Sequence, residues 1–176
     1  MLRVSCVAAL SLALSTHPLT AQGADGAHAF DWEIGSWSTT VRVRPPLDAG
    51  AEWTEFRGTS VVTAFAGGRS NLVDLDVASG ERHIAGVSLR LYSPQGGQWS
   101  LNFASMRDGQ LTPPVHGGFS NGRGEFYGED TVDGKVVLVR FVISDITPTS
   151  ARFVQSYSAD GGRSWVENWV AVDTRR

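Results

Sequence analysis

A chain of 176 residues is one domain by size and long enough to bury about two-thirds of its unfolded surface. Its 15 Lys and Arg against 18 Asp and Glu give a formal net charge of −3, with no basic stripe. That balance argues against nucleic acid and anionic membrane surfaces as partners.

The first element predicted from the sequence is a leader. MLRVSCVAALSLALSTHPLTAQG carries one early charge, Arg3, and then an apolar run from Val4 to Leu14. Such a run is too short to span a bilayer and has the length of a signal-peptide core. Pro18 and Ala21 predict cleavage after Ala21, so residues 1–21 are expected to be removed and the protein to be periplasmic or secreted. Cleavage removes Arg3 and the only cysteine, Cys6, and shifts the net charge to −4. The mature chain is then expected in an oxidising compartment without a disulfide, held by its core alone and not inserted in a membrane.

Residues 22–29 are small and polar and predict a flexible lead. FDWEIGSW, residues 30–37, is too apolar for a loop in water. It predicts a short helical plug near Asp31, with Asp31 as its cap, leading through Gly35 into the first strand.

From there alternating runs recur about every ten residues: 37–44, 52–65, 71–77, 83–92, 98–105, 115–120, 125–130, 135–144, 151–158 and 165–173. Glycine turns separate them, including Ser79-Gly80, Asp108-Gly109, Asn121-Gly122, Asp133-Gly134 and Asp160-Gly161. Asn-Gly and Asp-Gly between alternating runs are strong hairpin signals. The pattern predicts an all-β fold, an antiparallel up-and-down barrel of about ten strands over residues 30–176. Ten strands leave an interior wider than side chains readily fill.

The C-terminal hairpin mixes large aromatics with polar groups, as the wall of a ligand cavity does. Before its turn Phe153, Gln155 and Tyr157 share one face; after it Trp165, Glu167 and Trp169 share another. Trp99, Phe103, Tyr157 and Trp169 are expected to line a cavity, with Arg140, Gln155 and Glu167 orienting the polar end of a ligand. Arg90 and Arg152 are further inward candidates. An inward Arg beside an inward Glu would be a buried pair whose desolvation seldom favours stability, so function would be its natural reason.

Other motifs lead elsewhere. Ser158-Ala159-Asp160-Gly161-Gly162-Arg163-Ser164-Trp165 fits the Asp box of sialidase-type propellers, a hairpin brace; a single copy excludes a propeller. His28, His83 and His116 lack metal-site spacing, and no metal or cofactor is expected. The glycine-rich stretch 117–124 lacks the Lys-Ser/Thr of a phosphate loop, and no G-x-S-x-G elbow is present. Glu125 and Glu129 share a strand face with Tyr127, which reads as a solvated outer surface.

Gly35-Ser36-Trp37 after a short plug resembles the calycin superfamily of lipocalins and fatty-acid-binding proteins. Together with LRLYSP (89–94), GGFSNGRGEFYGED (117–130), RFVISDIT (140–147) and SYSADGGRSWVENW (156–169), it is similar to a bacterial lipocalin-like domain family of unknown function. The resemblance covers residues 30–173 and implies a barrel that binds a small molecule. Nitrobindin-type haem barrels are more distant relatives with a late-strand histidine; nothing after His116 matches it, which argues against haem.

The expected function is therefore an exported barrel binding a small, largely apolar molecule with one polar group. The alternatives are a cavity enzyme (an isomerase, cyclase or lyase with a Glu or His base) and a packed barrel that binds another protein.

Overall fold

The computed structural model describes residues 26–176; the expected leader and the start of the lead lie outside the described residues. Ten antiparallel strands follow in order: β1 (Gly35–Val43), β2 (Thr54–Phe65), β3 (Ser70–Ser79), β4 (Arg82–Ser93) and β5 (Gln98–Ser105), then β6 (Val115–Ser120), β7 (Arg123–Val132), β8 (Lys135–Ser144), β9 (Ser150–Ser158) and β10 (Val166–Arg175). Each pairs with the next, and β1 pairs with β10 from Trp37↔Arg175 to Val43↔Trp169, closing the barrel. Closure leaves no strand edge unpaired by a neighbour.

Alternation sets the faces. On β1, Trp37, Thr39 and Val41 are buried inside while Ser36, Ser38 and Arg42 are exposed. Hairpin turns place Asn121 and Asp133 at φ 52° and 50°, each followed by a glycine with positive φ, the geometry a two-residue turn requires.

One barrel end is closed by the segment before β1. The predicted plug is a single 3-10 turn, Asp31–Glu33, and Asp31 does not cap it. Its carboxylate turns instead to the His28 imidazole, 2.8 Å away on the surface. Phe30, 1% exposed, sits edge-on to Trp99 and Phe119, with ring centroids 4.9 Å apart in both cases. Residues 26–29, expected within the flexible lead, form a turn held to this end: Ala27 is buried and Trp99 Nε1 donates to the Gly26 carbonyl at 2.7 Å.

The plug is fixed to the last strand as well. Arg175 donates from Nη1 to the Ile34 carbonyl at 3.0 Å, from Nη2 to the Trp32 carbonyl, and from Nε to the Pro148 carbonyl at 2.9 Å. Its guanidinium lies 4.2 Å from the Trp37 ring centre. Gly35, at φ 124°, makes the bend between plug and β1, and a Cβ there would stand 3.0 Å from Arg175 Nη1. Glycine therefore lets plug, bend and guanidinium come together.

Outside the barrel, Trp53 covers Val142, Val154 and Val170, and the guanidinium of Arg44 lies 4.4 Å from its ring centre. The connection between β1 and β2 is thus folded over β8, β9 and β10.

Trp37 is fully buried, and its Nε1 donates to the Glu33 carbonyl at 2.6 Å. Trp37→Ala should destabilise the fold by about 3–5 kcal/mol, the usual cost of deleting a buried large aromatic. Denaturant unfolding followed by circular dichroism measures it. A loss under ~1 kcal/mol would show that this end of the barrel does not depend on the ring.

Candidate functional site

The interior is not filled by side chains. Above the plug lies a cavity of about 130 Å³, walled by Val41, Leu75, Leu101, Phe141, Phe153 and Trp169 and their apolar neighbours. A packed barrel with no cavity, one of the expected alternatives, is not what forms.

Phe103 owes its place in that wall to Gly86 on the neighbouring strand. A Cβ at Gly86 would stand 2.3 Å from the Phe103 ring, so the ring lies directly over the glycine.

One pole of the cavity is polar. Arg90 enters from β4 and Glu33 from the plug, and they form a two-pronged ion pair: Nη1 to Oε2, and Nη2 to Oε1 at 3.1 Å. Both side chains are almost wholly removed from solvent, 8% and 13% exposed. The Arg90 guanidinium also lies 4.3 Å from the Phe30 ring centre, so the plug contacts it from two sides. A planar fork meeting a carboxylate in this way is the strongest form of ion pair, yet desolvation offsets most of its gain. Arg90 is one of the arginines expected to reach inward, but the carboxylate it meets is Glu33 of the plug and not the strand residue Glu167, which is exposed.

Asp173 enters the same pole from β10. Thr39 Oγ1 donates to its Oδ1 at 2.6 Å, and the Ser60 hydroxyl lies 3.5 Å from the same oxygen. Burial, reinforced by the negative charge of Glu33, pushes the Asp173 carboxyl up to about 6 against the pull of Thr39, Arg90 and Ser60. Both hydroxyl contacts fall on Oδ1, which leaves Oδ2 without a hydrogen bond among the described residues. Two buried donors of the cavity lining are also unpartnered, Trp32 Nε1 and Arg90 Nε. Buried donors without acceptors are costly.

A second chamber, about 210 Å³, lies toward the opposite end of the barrel, bounded by Thr112, Pro113, Glu129, Asp130 and Tyr157. Phe103, Phe141, Gln155 and Trp169 border both spaces. Tyr157 donates to Asp130 Oδ2 at 2.8 Å, and Gln155 Nε2 reaches Tyr157 Oη at 3.3 Å and Asn168 Oδ1 at 3.2 Å. Burial and the Asp130 carboxylate together push the Tyr157 hydroxyl above the usual phenol range, so it stays protonated and donates.

Of the residues expected to form the site, Phe103, Gln155 and Trp169 line the inner cavity, and Tyr157 lines the second chamber. Three lie elsewhere. Trp99 faces inward but at the plug, where it packs on Phe30 and Tyr92 and reaches neither space. Arg140 is on the outer face, its guanidinium 4.5 Å from the ring centre of Trp165, which is outside too. Glu167 is exposed. A bulge between Glu167 and Trp169 inserts Asn168 into the buried position, so the two residues expected on one face are on opposite ones. Arg44 caps the turned-out segment by donating to the Glu167 carbonyl at 2.7 Å.

Sequence reasoning missed Glu33 and Asp173. Glu33 is one of two anions in the otherwise apolar FDWEIGSW, and Asp173 continues the face of Trp169 and Ala171; each was a readable signal. Outside the cavity, the Asp box is a brace: Asp160 accepts from Ser164 N at 2.9 Å and Ser164 Oγ at 2.7 Å, and Trp165 Nε1 donates to the Gly162 carbonyl at 3.1 Å. The Ser164 backbone and hydroxyl hold the Asp160 carboxyl far below the usual carboxylate range. Glu125 accepts from Arg123 Nε and Tyr127 Oη on the outer surface, where the carboxylate pattern put it.

No family model and no curated protein matches the chain. Among solved structures, the S-type phycobiliprotein lyase CPES from Guillardia theta is similar over 88% of this chain and 95% of that one, at 11% identity and a TM-score of 0.60. The structure of EF1p2_mFAP2b bound to DFHBI matches over 85% of this chain and 98% of that chain at 11% identity, TM-score 0.48. A redesigned beta barrel matches over 85% and 96% at 12% identity, TM-score 0.45. The likeness is one of fold: the chain is a closed ten-stranded antiparallel barrel, similar in fold to the lyase.

Because the folded Asp173 carboxyl titrates above its ordinary value of 3.8, the native state holds a proton that the unfolded chain gives up. Stability is therefore greatest below about pH 4 as far as this group decides it, and falls as pH rises through about 6. Asp173→Asn keeps an acceptor for Thr39 and cannot ionise. It should stabilise the protein at pH 7.5 by at most about 3 kcal/mol, because the half-buried carboxyl retains some solvent, and by almost nothing near pH 4. Urea midpoints across that range measure the difference; equal gains at both ends would show that Asp173 is not the titrating group.

Proposed function

We propose that this protein binds one small, largely apolar molecule carrying a single oxygen-bearing group. The observation that carries the reading is the polar pole: Arg90, Glu33 and Asp173 are held at one end of a largely apolar cavity. An ion pair so buried is a poor device for stability alone, and Trp32 Nε1 and Arg90 Nε, in residues of the same lining, have no acceptor. The volume limits the size of the guest. A dry cavity of roughly 150 Å³ holds benzene, so about 130 Å³ points to a guest of about one six-membered ring. Apolar walls supply the affinity and the pole sets the orientation, the division of labour usual in small-molecule sites.

The barrel from Guillardia theta is by its title a phycobiliprotein lyase. That agrees with a calycin-like interior that handles a ligand, while the class of guest proposed here is read from the cavity. The motif set running from FDWEIGSW to SYSADGGRSWVENW supports placing the chain with the bacterial lipocalin-like domains it resembles.

Phenol and benzene separate shape from polarity. Titrated against tryptophan fluorescence, which Trp32 and Trp169 make sensitive to the cavity, phenol should bind at least about tenfold more tightly than benzene, the factor that 1.4 kcal/mol of hydrogen bonding gives. Equal affinities would mean that the pole does not touch the guest.

We further propose that the barrel is exported and that residues 1–21 are its leader, on the strength of Arg3, the apolar run to Leu14 and Ala21. N-terminal sequencing of protein recovered outside the cytoplasm should begin at Gln22. Finding Met1 there would refute the leader.

A further inference from the structure

At the polar pole one carboxylate oxygen stands open. Asp173 is oriented through Oδ1 by Thr39 and Ser60, which themselves lie 2.9 Å apart. Oδ2 is the atom left over, in a residue that lines the cavity. Trp32 Nε1 and Arg90 Nε, the unpartnered donors, belong to the same lining. A carboxylate base and two N–H donors on the lining of one cavity are the parts needed to remove a proton next to a carbonyl group. Resting on the binding reading, we propose that the cavity catalyses proton transfer at the carbon adjacent to the carbonyl of a single-ring ketone, with Asp173 as the base and Trp32 and Arg90 holding the oxygen.

The step balances within the cavity. Asp173 Oδ2 takes the α-proton; the C–H electron pair forms the C=C bond of the enolate, and the carbonyl π pair moves onto the oxygen, where the two N–H groups receive it. The same carboxyl returns the proton, to the original carbon for exchange or to a conjugated carbon for isomerisation. No oxidant, reductant or second substrate is consumed.

The surroundings suit the task. Glu33 and Arg90 are the charged groups that act on Asp173, and they oppose one another. Their mutual ion pair leaves Asp173 as the carboxylate that can take up a proton, while Arg152 lines the same cavity and Arg175, two residues on, is engaged with the plug carbonyls. A carboxyl near 6 is largely ionised at neutral pH and more basic than an ordinary aspartate, which favours it as an acceptor. Thr39 and Ser60 act through Asp173 and are positioning residues.

Cyclohexanone is the probe, because it fits one ring and carries one carbonyl. Exchange of its α-protons in deuterium oxide, followed by proton NMR, should run faster with the full chain than in matched buffer, and the excess should fall as the pH drops through about 6. Asp173→Asn should abolish the excess while saturation-transfer NMR shows cyclohexanone still bound within a few-fold. Trp32→Phe, which keeps the ring and removes the N–H, should lower the excess on the order of 10²-fold, as loss of one oxyanion donor does. Bound cyclohexanone that exchanges no faster than in buffer overturns the inference and leaves the binding reading standing. Full exchange in Asp173→Asn overturns the role of Asp173, and an unbound probe overturns the ketone as the substrate class; the comparison of phenol with benzene then decides binding separately.

Discussion

A guanidinium removed from water has to be met by a carboxylate, and in this barrel that requirement joins the plug to the wall. Arg90 belongs to the middle of a hairpin and Glu33 to the turn before the first strand, 57 residues earlier. Loss of either would leave its partner as an uncompensated buried charge, a heavier penalty than the pair's own worth. The position of the plug, the closing of that barrel end and the polarity of the cavity therefore share one interaction. Arg175 adds a second tie from the last strand, made through carbonyls of the plug and so independent of charge pairing.

The cavity follows from the strand number. Ten strands hold their walls farther apart than side chains comfortably bridge, and the chain solves this unevenly. Val41, Phe56, Val77 and Ala171 meet as a compact cluster, while Phe30, Trp99, Phe119 and Phe126 fill the plugged end. What they leave between them is the apolar space with Asp173, Arg90 and Glu33 at its floor. The polar groups stand where an aliphatic filling would have been cheaper, which is why they are read as serving a guest.

Most of the barrel is legible in the sequence, because period-two alternation and Asn-Gly or Asp-Gly turns are local signals. β5, β6 and β8 have the bounds expected from the sequence alone, 98–105, 115–120 and 135–144. The candidate site was less so, for three physical reasons. Alternation fixes the face of a residue and not its height along the axis, so Trp99 was rightly inward and wrongly placed in the cavity. In KVVLVRFVIS both faces are apolar, since Val142 is covered outside by Trp53, and the sequence gives no sign that Arg140 is on the outer one. At Asn168 a single inserted residue reverses the alternation and turns Glu167 to solvent, and no local motif announces a bulge of this kind. Glu33 and Asp173 were visible as charges in apolar company, but only closure shows that they meet.

That meeting has a kinetic side. Thr39 reaches Asp173 across 134 positions of chain, through the seam between the first strand and the last. Every other strand contact can form between neighbours in sequence, so the seam carries the longest loop-closure cost and is the contact expected to form late in folding. An incompletely closed barrel would hold nine hairpin-linked pairings and no oriented Asp173, and the same seam is where transient opening would begin. The polar pole is thus a reporter of completed folding: a chain that has not joined its two ends has strands but no site.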